Sequence, residues 1–304
     1  MTNLKNLMKR LMSKASEPLG VREVQRELAN LKYTTLGVSR ENQLLLMLAY
    51  QRQKAAGESL PALNDVEFRT FSQNGEDGIL WYIFSLIGTL HKTSVEICAG
   101  NGMQCNTANL IVNHGWTGLL FDGDEKNVKA GADFFRDHPD TFTFPPRFVH
   151  AWLDTGNVNQ LISGQGFSGE IDLLSLDIDG IDYWLWNALT VVRPRVVVAE
   201  IQAIWGDTRS VTVPYRADFR TEYVGGFGVY SGASLPAFVK LGRTKGYRLI
   251  GTQRYGFNAF FMRDDVGQDI FPEVSAADCL RRPFVKWAQE KLLPLVAHKE
   301  WVEV

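Results

Sequence analysis

Cysteine is scarce. Only Cys98, Cys105 and Cys279 occur, none in a Cys-x-x-Cys spacing, so neither a disulfide framework nor a thiolate zinc site is indicated, and a reducing cytoplasm fits. An excess of charge of either sign is also lacking. With 32 Lys and Arg against 34 Asp and Glu, the formal net charge is -2, which gives no global positive field to recruit nucleic acid or an anionic membrane. Long apolar runs are missing too: the longest, Gly78 to Leu90, is too short to span a bilayer, and the opening MTNLKNLMKR lacks the apolar stretch of a signal peptide. These absences lead to the expectation of a soluble cytoplasmic protein with no transmembrane segment and no nucleic-acid partner. What is present is 304 residues, 45% of them hydrophobic and 22% charged, enough to bury a sizeable core.

Residues 1–60 repeat apolar residues at helical spacing, Leu4, Leu7, Met8 and Leu11, then Leu44, Leu45 and Leu48. They read as an N-terminal helical appendage, with Pro61 and the ALND after it marking the start of a second unit, 61–304. The first sixteen residues carry Lys5, Lys9, Arg10 and Lys14 without an acid, which suits a reversible membrane-surface or partner contact. The plainer alternative is packing on its own domain or on a second subunit, a homo-oligomer through these helices.

From about residue 92 short β-branched runs alternate with helical stretches. SVEICAG, TGLLFDGD, RFVHAWLD, IDLLSLDIDG and RVVVAEIQ are the strands; NTANLIVNHG, EKNVKAGADFFRDH and DYWLWNAL are among the helices. Strict alternation implies right-handed crossovers and a doubly wound α/β sheet. YRLIGTQ and NAFFMRD are too close together for a parallel crossover, so the last strand must run antiparallel. Seven strands with the last reversed match the sheet of S-adenosylmethionine-dependent methyltransferases, the class I Rossmann-like fold, better than the all-parallel dinucleotide fold.

The loop after the first strand, VEICAGNGMQCNT, carries Gly100 and Gly102 but has Cys105 where a dinucleotide fingerprint needs its third glycine, which opposes a nicotinamide-dependent oxidoreductase. No Gly-Lys-Ser/Thr follows, so it is not a P-loop. An adenosyl cofactor without phosphate asks instead for close backbone approach and an acid on the next strand to accept ribose hydroxyls. Asp122 holds that place, and Glu96 on the first strand is placed to reach the cofactor's ammonium directly or through water. A bare structural turn explains Gly-x-Gly equally well; the order of loop, acid and reversed hairpin is what favours S-adenosylmethionine over both the oxidoreductase and a non-catalytic binding module.

FSQNGEDGILWYIF (Phe71 to Phe84), VEICAGNG, GWTGLLFDGD and LLSLDIDG together resemble the FkbM-like family of S-adenosylmethionine-dependent methyltransferases, over about residues 68–263. The resemblance implies O-methyl transfer to a hydroxyl of a saccharide or other natural product. It also implies that the segment with Ser72, Gln73, Glu76 and Asp77 lies beside the glycine loop, making Gln73 and Asp77 candidate cofactor ligands; helix capping alone also accounts for Ser72 and Asp77. The family's Lys-Ile-Asp-Val-Glu-Gly reads Ser175-Leu176-Asp177-Ile178-Asp179-Gly180 here, so no lysine-dependent mechanism is carried over.

Asp177 and Asp179 end the fourth strand and Glu200 ends the fifth, at the sheet edge where open α/β folds bind ligands. Such carboxylates can hold a divalent cation such as Mg2+ or draw a proton from a substrate hydroxyl. Asp179 is the candidate base or metal ligand and Asp177 its partner; the competing reading is that Asp179 or Asp182 caps the helix YWLWNAL. His114 is expected to end a helix before Gly115, and His150 to be a buried or adenine-side residue. The long insertion Trp205 to Ser234 offers Trp205, Tyr215 and Tyr230 to a sugar ring and Arg209, Arg216 or Arg220 to an anionic substrate group, or merely ties itself down. Gln202 and Asn258, at neighbouring strand ends, are candidates to bond substrate hydroxyls or local backbone.

Overall fold

The alternating runs form one seven-stranded sheet because each is apolar on both sides. In the computed structural model, which describes residues 38–304, the strands are β1 (Thr93–Ile97), β2 (Thr117–Asp122), β3 (Arg147–His150), β4 (Gly169–Leu176) and β5 (Val192–Glu200). Three helices alternate with them: α3 (Ala108–His114), α4 (Glu125–Asp137) and α5 (Val158–Gly164). Before β1 come α1 (Arg40–Ala55) and α2 (Glu76–Ile87); α6 (Asp182–Ala188) joins β4 to β5. On β4 and β5, Leu173, Val196 and Val198 face one core while Leu174, Val197 and Ala199 face the other, the period of two that a pleated strand imposes. Helices cover both faces, as a parallel sheet requires.

After β5 the chain inserts β6 (Val211–Thr212) and the hairpin β7 (Glu222–Val224) and β8 (Phe227–Tyr230), then resumes with α7 (Leu235–Lys245), β9 (Tyr247–Thr252) and β10 (Asn258–Arg263). The sheet order is β3-β2-β1-β4-β5-β10-β9. β10 enters between β5 and β9, antiparallel to both. This is the class I methyltransferase sheet with its reversed strand, as the short connection requires. The chain ends in α8 (Ala276–Leu280), α9 (Pro283–Lys291), α10 (Leu293–Val296) and β11 (Val302–Glu303), which pairs with β6 and so fastens the C-terminal segment to the insertion.

Helix α1 follows its sequence signals: Ser39 caps it through Asn42 N–H, Glu41 sits in the first turn, and Arg52 and Lys54 in the last. Its packed face is not the expected one. Leu45 and Leu48 are 64% and 57% exposed, whereas Gln43 and Tyr50 are buried against α2 and α3. Gln43 wins because its amide is fully used: it bonds Asn109 in both directions at 3.0 Å, meets His114 Nε2 at 2.7 Å, and its carbonyl accepts the Trp81 indole N–H at 2.6 Å. His114 ends α3 before Gly115 as expected and stacks on Trp81; burial, with help from Arg40 and Lys92, holds its pKa down at about 3, so it is neutral and structural. Leu4, Leu7, Met8, Leu11 and the basic residues among them lie outside the described residues. Among the described residues, no helix is long and apolar enough to cross a membrane.

Candidate functional site

A cavity of about 550 Å³ lies over the carboxyl ends of β1, β2, β4 and β5. It is roofed on one side by the β7–β8 hairpin and on the other by α9, and its wall includes Gln73, Gly100, Asp122, Asp177, Asp179, Glu200, Gln202 and Asn258. Residues that the sequence scatters over 186 positions, from Gln73 to Asn258, thus meet at one edge of the sheet, where open α/β folds bind ligands.

The floor is built by carboxylates that organise backbone. Asp122, buried at the end of β2, accepts the Gly100 N–H at 2.8 Å with Oδ2 and those of Asp124 N (2.9 Å) and Asn127 Nδ2 (3.2 Å) with Oδ1. That leaves one of its four lone-pair directions without a strong donor, beside the Cys98 thiol at 3.8 Å. Cys98 is exposed, and the crowding of protein around its thiol, followed by the charges of Asp122, Asp177, Asp182 and Asp179, pushes its pKa up and disfavours the thiolate.

Glu96 also lines the cavity, but its oxygens are already engaged. Oε1 accepts from Asn106 N at 2.8 Å and Ser175 Oγ at 3.3 Å; Oε2 accepts from Thr107 N at 2.9 Å and Thr107 Oγ at 2.5 Å. Direct contact with a cofactor ammonium is therefore corrected: Glu96 fastens the end of the glycine loop to α3. Asp77 is corrected in the same way. Its Oδ2 takes three backbone N–H groups, from Thr70, Phe71 and Ser72 at 2.6–2.8 Å, and it stays out of the cavity. Gln73, four residues earlier, does face it. Gly102 serves packing rather than ligand approach, since a Cβ there would lie 2.7 Å from Phe135 and 3.0 Å from Phe148, in a backbone with φ +73°.

The acidic end of the cavity holds Asp177, Asp179 and Glu200, whose oxygens lie within 4.8 Å of one another. Asp179 sits in a left-handed backbone, φ +53°, and its Oδ2 accepts the Tyr223 hydroxyl at 2.8 Å. Asp182 does not cap α6. Its carboxylate instead takes Ile178 N–H at 2.8 Å and Gly180 N–H at 3.0 Å, holding the loop that presents Asp179; burial outweighs those bonds and pushes its pKa up to about 6. Asp177 and Glu200 lie beside each other at this end. Burial, then the neighbouring acids, raises the pKa of both above the ordinary carboxyl range.

Three expected substrate aromatics do not reach the cavity, among them Tyr215, whose hydroxyl accepts from Thr155 Oγ1 at 2.8 Å. Trp205 is buried edge-on against Trp301 beneath Arg209, and Tyr230 packs on Phe219 and Trp301 with its hydroxyl donating to Glu300 O at 2.7 Å. Both go inward because the C-terminal segment supplies an aromatic partner. Gln202 lines the cavity with its amide donating to Gly228 O at 2.9 Å, bracing the hairpin. None of the three arginines lines the cavity: Arg209 pairs with Glu303, Arg216 lies over Phe219, and Arg220 over Trp152. His150 is exposed and touches Gly123 O at 3.2 Å.

Sequence reasoning missed several wall residues. Tyr223 was hidden in the insertion, although the Gly225-Gly226 tip marks its hairpin. Phe227, Phe257 and Phe284 form an apolar end, and Phe284 comes from α9, in a segment without a motif. Beside Asp122 a second, narrow slot is walled by Ala151, Trp152, Leu153, Ile178 and Phe219.

No protein-family model and no curated protein matches this chain. Solved structures share its fold at low similarity, methyltransferases among them. An S-adenosylmethionine-dependent methyltransferase from Clostridium acetobutylicum ATCC 824 is 12% identical over 58% of this chain and 85% of its own, with a TM-score of 0.37. The N-terminal domain of EvdMO1, crystallised in the presence of S-adenosylhomocysteine and D-fucose, is 13% identical over 75% of this chain and 96% of its own, at 0.41. An O-methyltransferase family protein from Burkholderia thailandensis is 16% identical over 56% of this chain and 50% of its own, at 0.36. The likeness concerns the fold; the chemistry has to be argued from the cavity.

Proposed function

We propose that this chain is an S-adenosylmethionine-dependent O-methyltransferase acting on a hydroxyl of a saccharide or secondary metabolite. The observation that carries the reading is the sharing of one cavity by Asp122 with the Gly100 backbone and by Asp179. A donor-binding edge and a proton acceptor thereby face the same space.

The residues fit the cofactor on three counts. Asp122 has one acceptor direction met by only the weak Cys98 thiol donor, which a ribose hydroxyl would replace. Trp152, Leu153, Ile178 and Phe219 offer an apolar slot next to it, suited to a flat heteroaromatic ring. Gln73, Asn74, Gln104 and Asn106 line the other side with polar groups for an amino-acid end. Bound there, the cofactor supplies a methyl already activated by positive sulfur, so the chain has to align the acceptor and dispose of its proton.

Asp179 does the second task. Its carboxylate is at the cavity wall, oriented by the Tyr223 hydroxyl on one side and by the Asp182-held loop on the other, and takes the acceptor's hydroxyl proton on a side-chain oxygen. Asp177, Asp179 and Glu200 also fit a divalent cation such as Mg2+, being oxygen donors within 4.8 Å; it would polarise the same hydroxyl. A homo-oligomer through the N-terminal helices belongs to this reading, supported by the outward Leu45 and Leu48 of α1, and light scattering gives its mass.

The test is production of S-adenosylhomocysteine from S-adenosylmethionine by the full chain with a panel of sugars and phenols, with magnesium and with chelator. Turnover that Asp179→Asn removes supports the reading; turnover unchanged in that variant rejects Asp179 as the proton acceptor.

A further inference from the structure

The acceptor end of the cavity carries two buried oxygens with no donor. Glu200 Oε2 is one and Asn258 Oδ1 is the other. The two residues are direct partners in the β5–β10 ladder, so their side chains stand on the same face as neighbours. Asn258 is 5% exposed and its amide is fixed, because Nδ2 donates to Glu76 Oε1 at 3.0 Å and turns Oδ1 away from that bond. A buried acceptor without a donor is destabilising, and two side by side mark a place where a donor belongs. Among the described residues no Lys, Arg or His lines the cavity, while six carboxylates do: Glu76, Glu96, Asp122, Asp177, Asp179 and Glu200.

We infer that the acceptor of the proposed methyl transfer carries a protonated amine, seated on Glu200 Oε2 and Asn258 Oδ1, with an apolar or ring body against Phe227, Phe257 and Phe284. This deepens the methyltransferase reading and rests on it. An ammonium brings several N–H donors and one positive charge, which answers both orphan oxygens and the surplus of acids. The seat lies apart from the donor edge: in the sheet order, Glu200 and Asn258 are three and four strands from Asp122, about 14–19 Å at normal strand spacing. Phe227, Phe257 and Phe284 favour an organic cation over a metal ion at Glu200 and Asn258, because they attract an ammonium and cover an organic body, which a hydrated divalent ion does not use. Acceptors bearing phosphate or carboxylate are excluded by the same charges, and the three arginines of the insertion, engaged elsewhere, do not offset them.

Calorimetry on the full chain saturated with S-adenosylhomocysteine tests this with two matched series: tyramine, tyrosol and 4-hydroxyphenylacetate, and glucosamine, glucose and glucuronate. At least one amine is expected to bind about tenfold or more tightly than its neutral counterpart, the gain of one modest ion pair, and the acids not at all. Glu200→Gln and Asn258→Leu should each bring that preference below about threefold while S-adenosylhomocysteine affinity is retained, which also shows that the variants fold. If neither amine outbinds its neutral and anionic partners, if the preference survives both variants, or if MgCl2 displaces the amine competitively, the inference is wrong. Failure of S-adenosylhomocysteine to bind is a separate result: it overturns the methyltransferase reading, and the same series without it still decides the amine seat.

Discussion

Replacing Asp122 by Asn separates a ligand from a structural brace. The carboxylate accepts from Gly100 N at 2.8 Å, Asp124 N at 2.9 Å and Asn127 Nδ2 at 3.2 Å. An amide has one acceptor oxygen, so at least one of these donors meets an N–H group instead; leaving a buried donor unpaired costs about 1–3 kcal/mol. That should lower the melting temperature by a few degrees for a chain of this size. If the carboxylate also receives a ribose hydroxyl, losing a charge-assisted bond removes a further ~1.5–3 kcal/mol of binding energy. Added to the disturbed Gly100 backbone, the expected loss is about 3 kcal/mol, or roughly 100-fold in affinity for S-adenosylhomocysteine. Calorimetry at matched temperature, with circular dichroism to show that the variant is folded, reads both numbers. A lower melting temperature with affinity within about threefold of wild type would falsify the ribose role and leave Asp122 a loop brace.

Asp179→Asn should keep S-adenosylhomocysteine affinity and lose methyl transfer by about 100-fold or more, the usual worth of a positioned proton acceptor; initial rates under saturating cofactor decide it. Asp177 and Glu200 have pKa values raised by the fold, so their contribution to stability is full below the unfolded values near 4 and is lost as pH rises through the folded ones; Asp182, raised to about 6, adds to the same trend. The melting temperature should therefore be higher at mildly acidic pH than at alkaline pH, and Asp177→Asn should flatten the slope. An unchanged slope in that variant assigns the titration to other groups. Gly78→Ala should unfold the region before β1, because a Cβ there would lie 2.2 Å from Val66 O and 2.3 Å from Phe68 N, both backbone atoms; a melting temperature equal to wild type contradicts that packing.

Much of this was legible because period and connection length are local properties of a chain. The strands carry apolar residues on both faces, and residues 253–257 are too few for a crossover, so the reversed β10 follows before any packing is known. Asp122 and the carboxylates of β4 and β5 were legible for the same reason, since strand ends fix the edge they occupy. Side-chain destination was not. Trp205 and Tyr230 have the right chemistry for a sugar, yet Trp301, some seventy or more residues further along, draws both into the core. Leu45 and Leu48 look like a packing stripe, yet the amide network of Gln43 turns the other side of α1 inward. Glu96 and Asp77 look like ligands, and only a count of their backbone donors shows them to be braces. The aromatic end of the cavity is joined from the hairpin, the β9–β10 connection and α9, three segments that no short motif links.

The most direct measurement is calorimetry of the purified chain with S-adenosylhomocysteine and, separately, with NAD(H). The account predicts saturable binding of the nucleoside at one site per chain, weakened by Asp122→Asn, and no heat from the dinucleotide. Binding of NAD(H) in its place, or no binding of the nucleoside by folded protein, contradicts it.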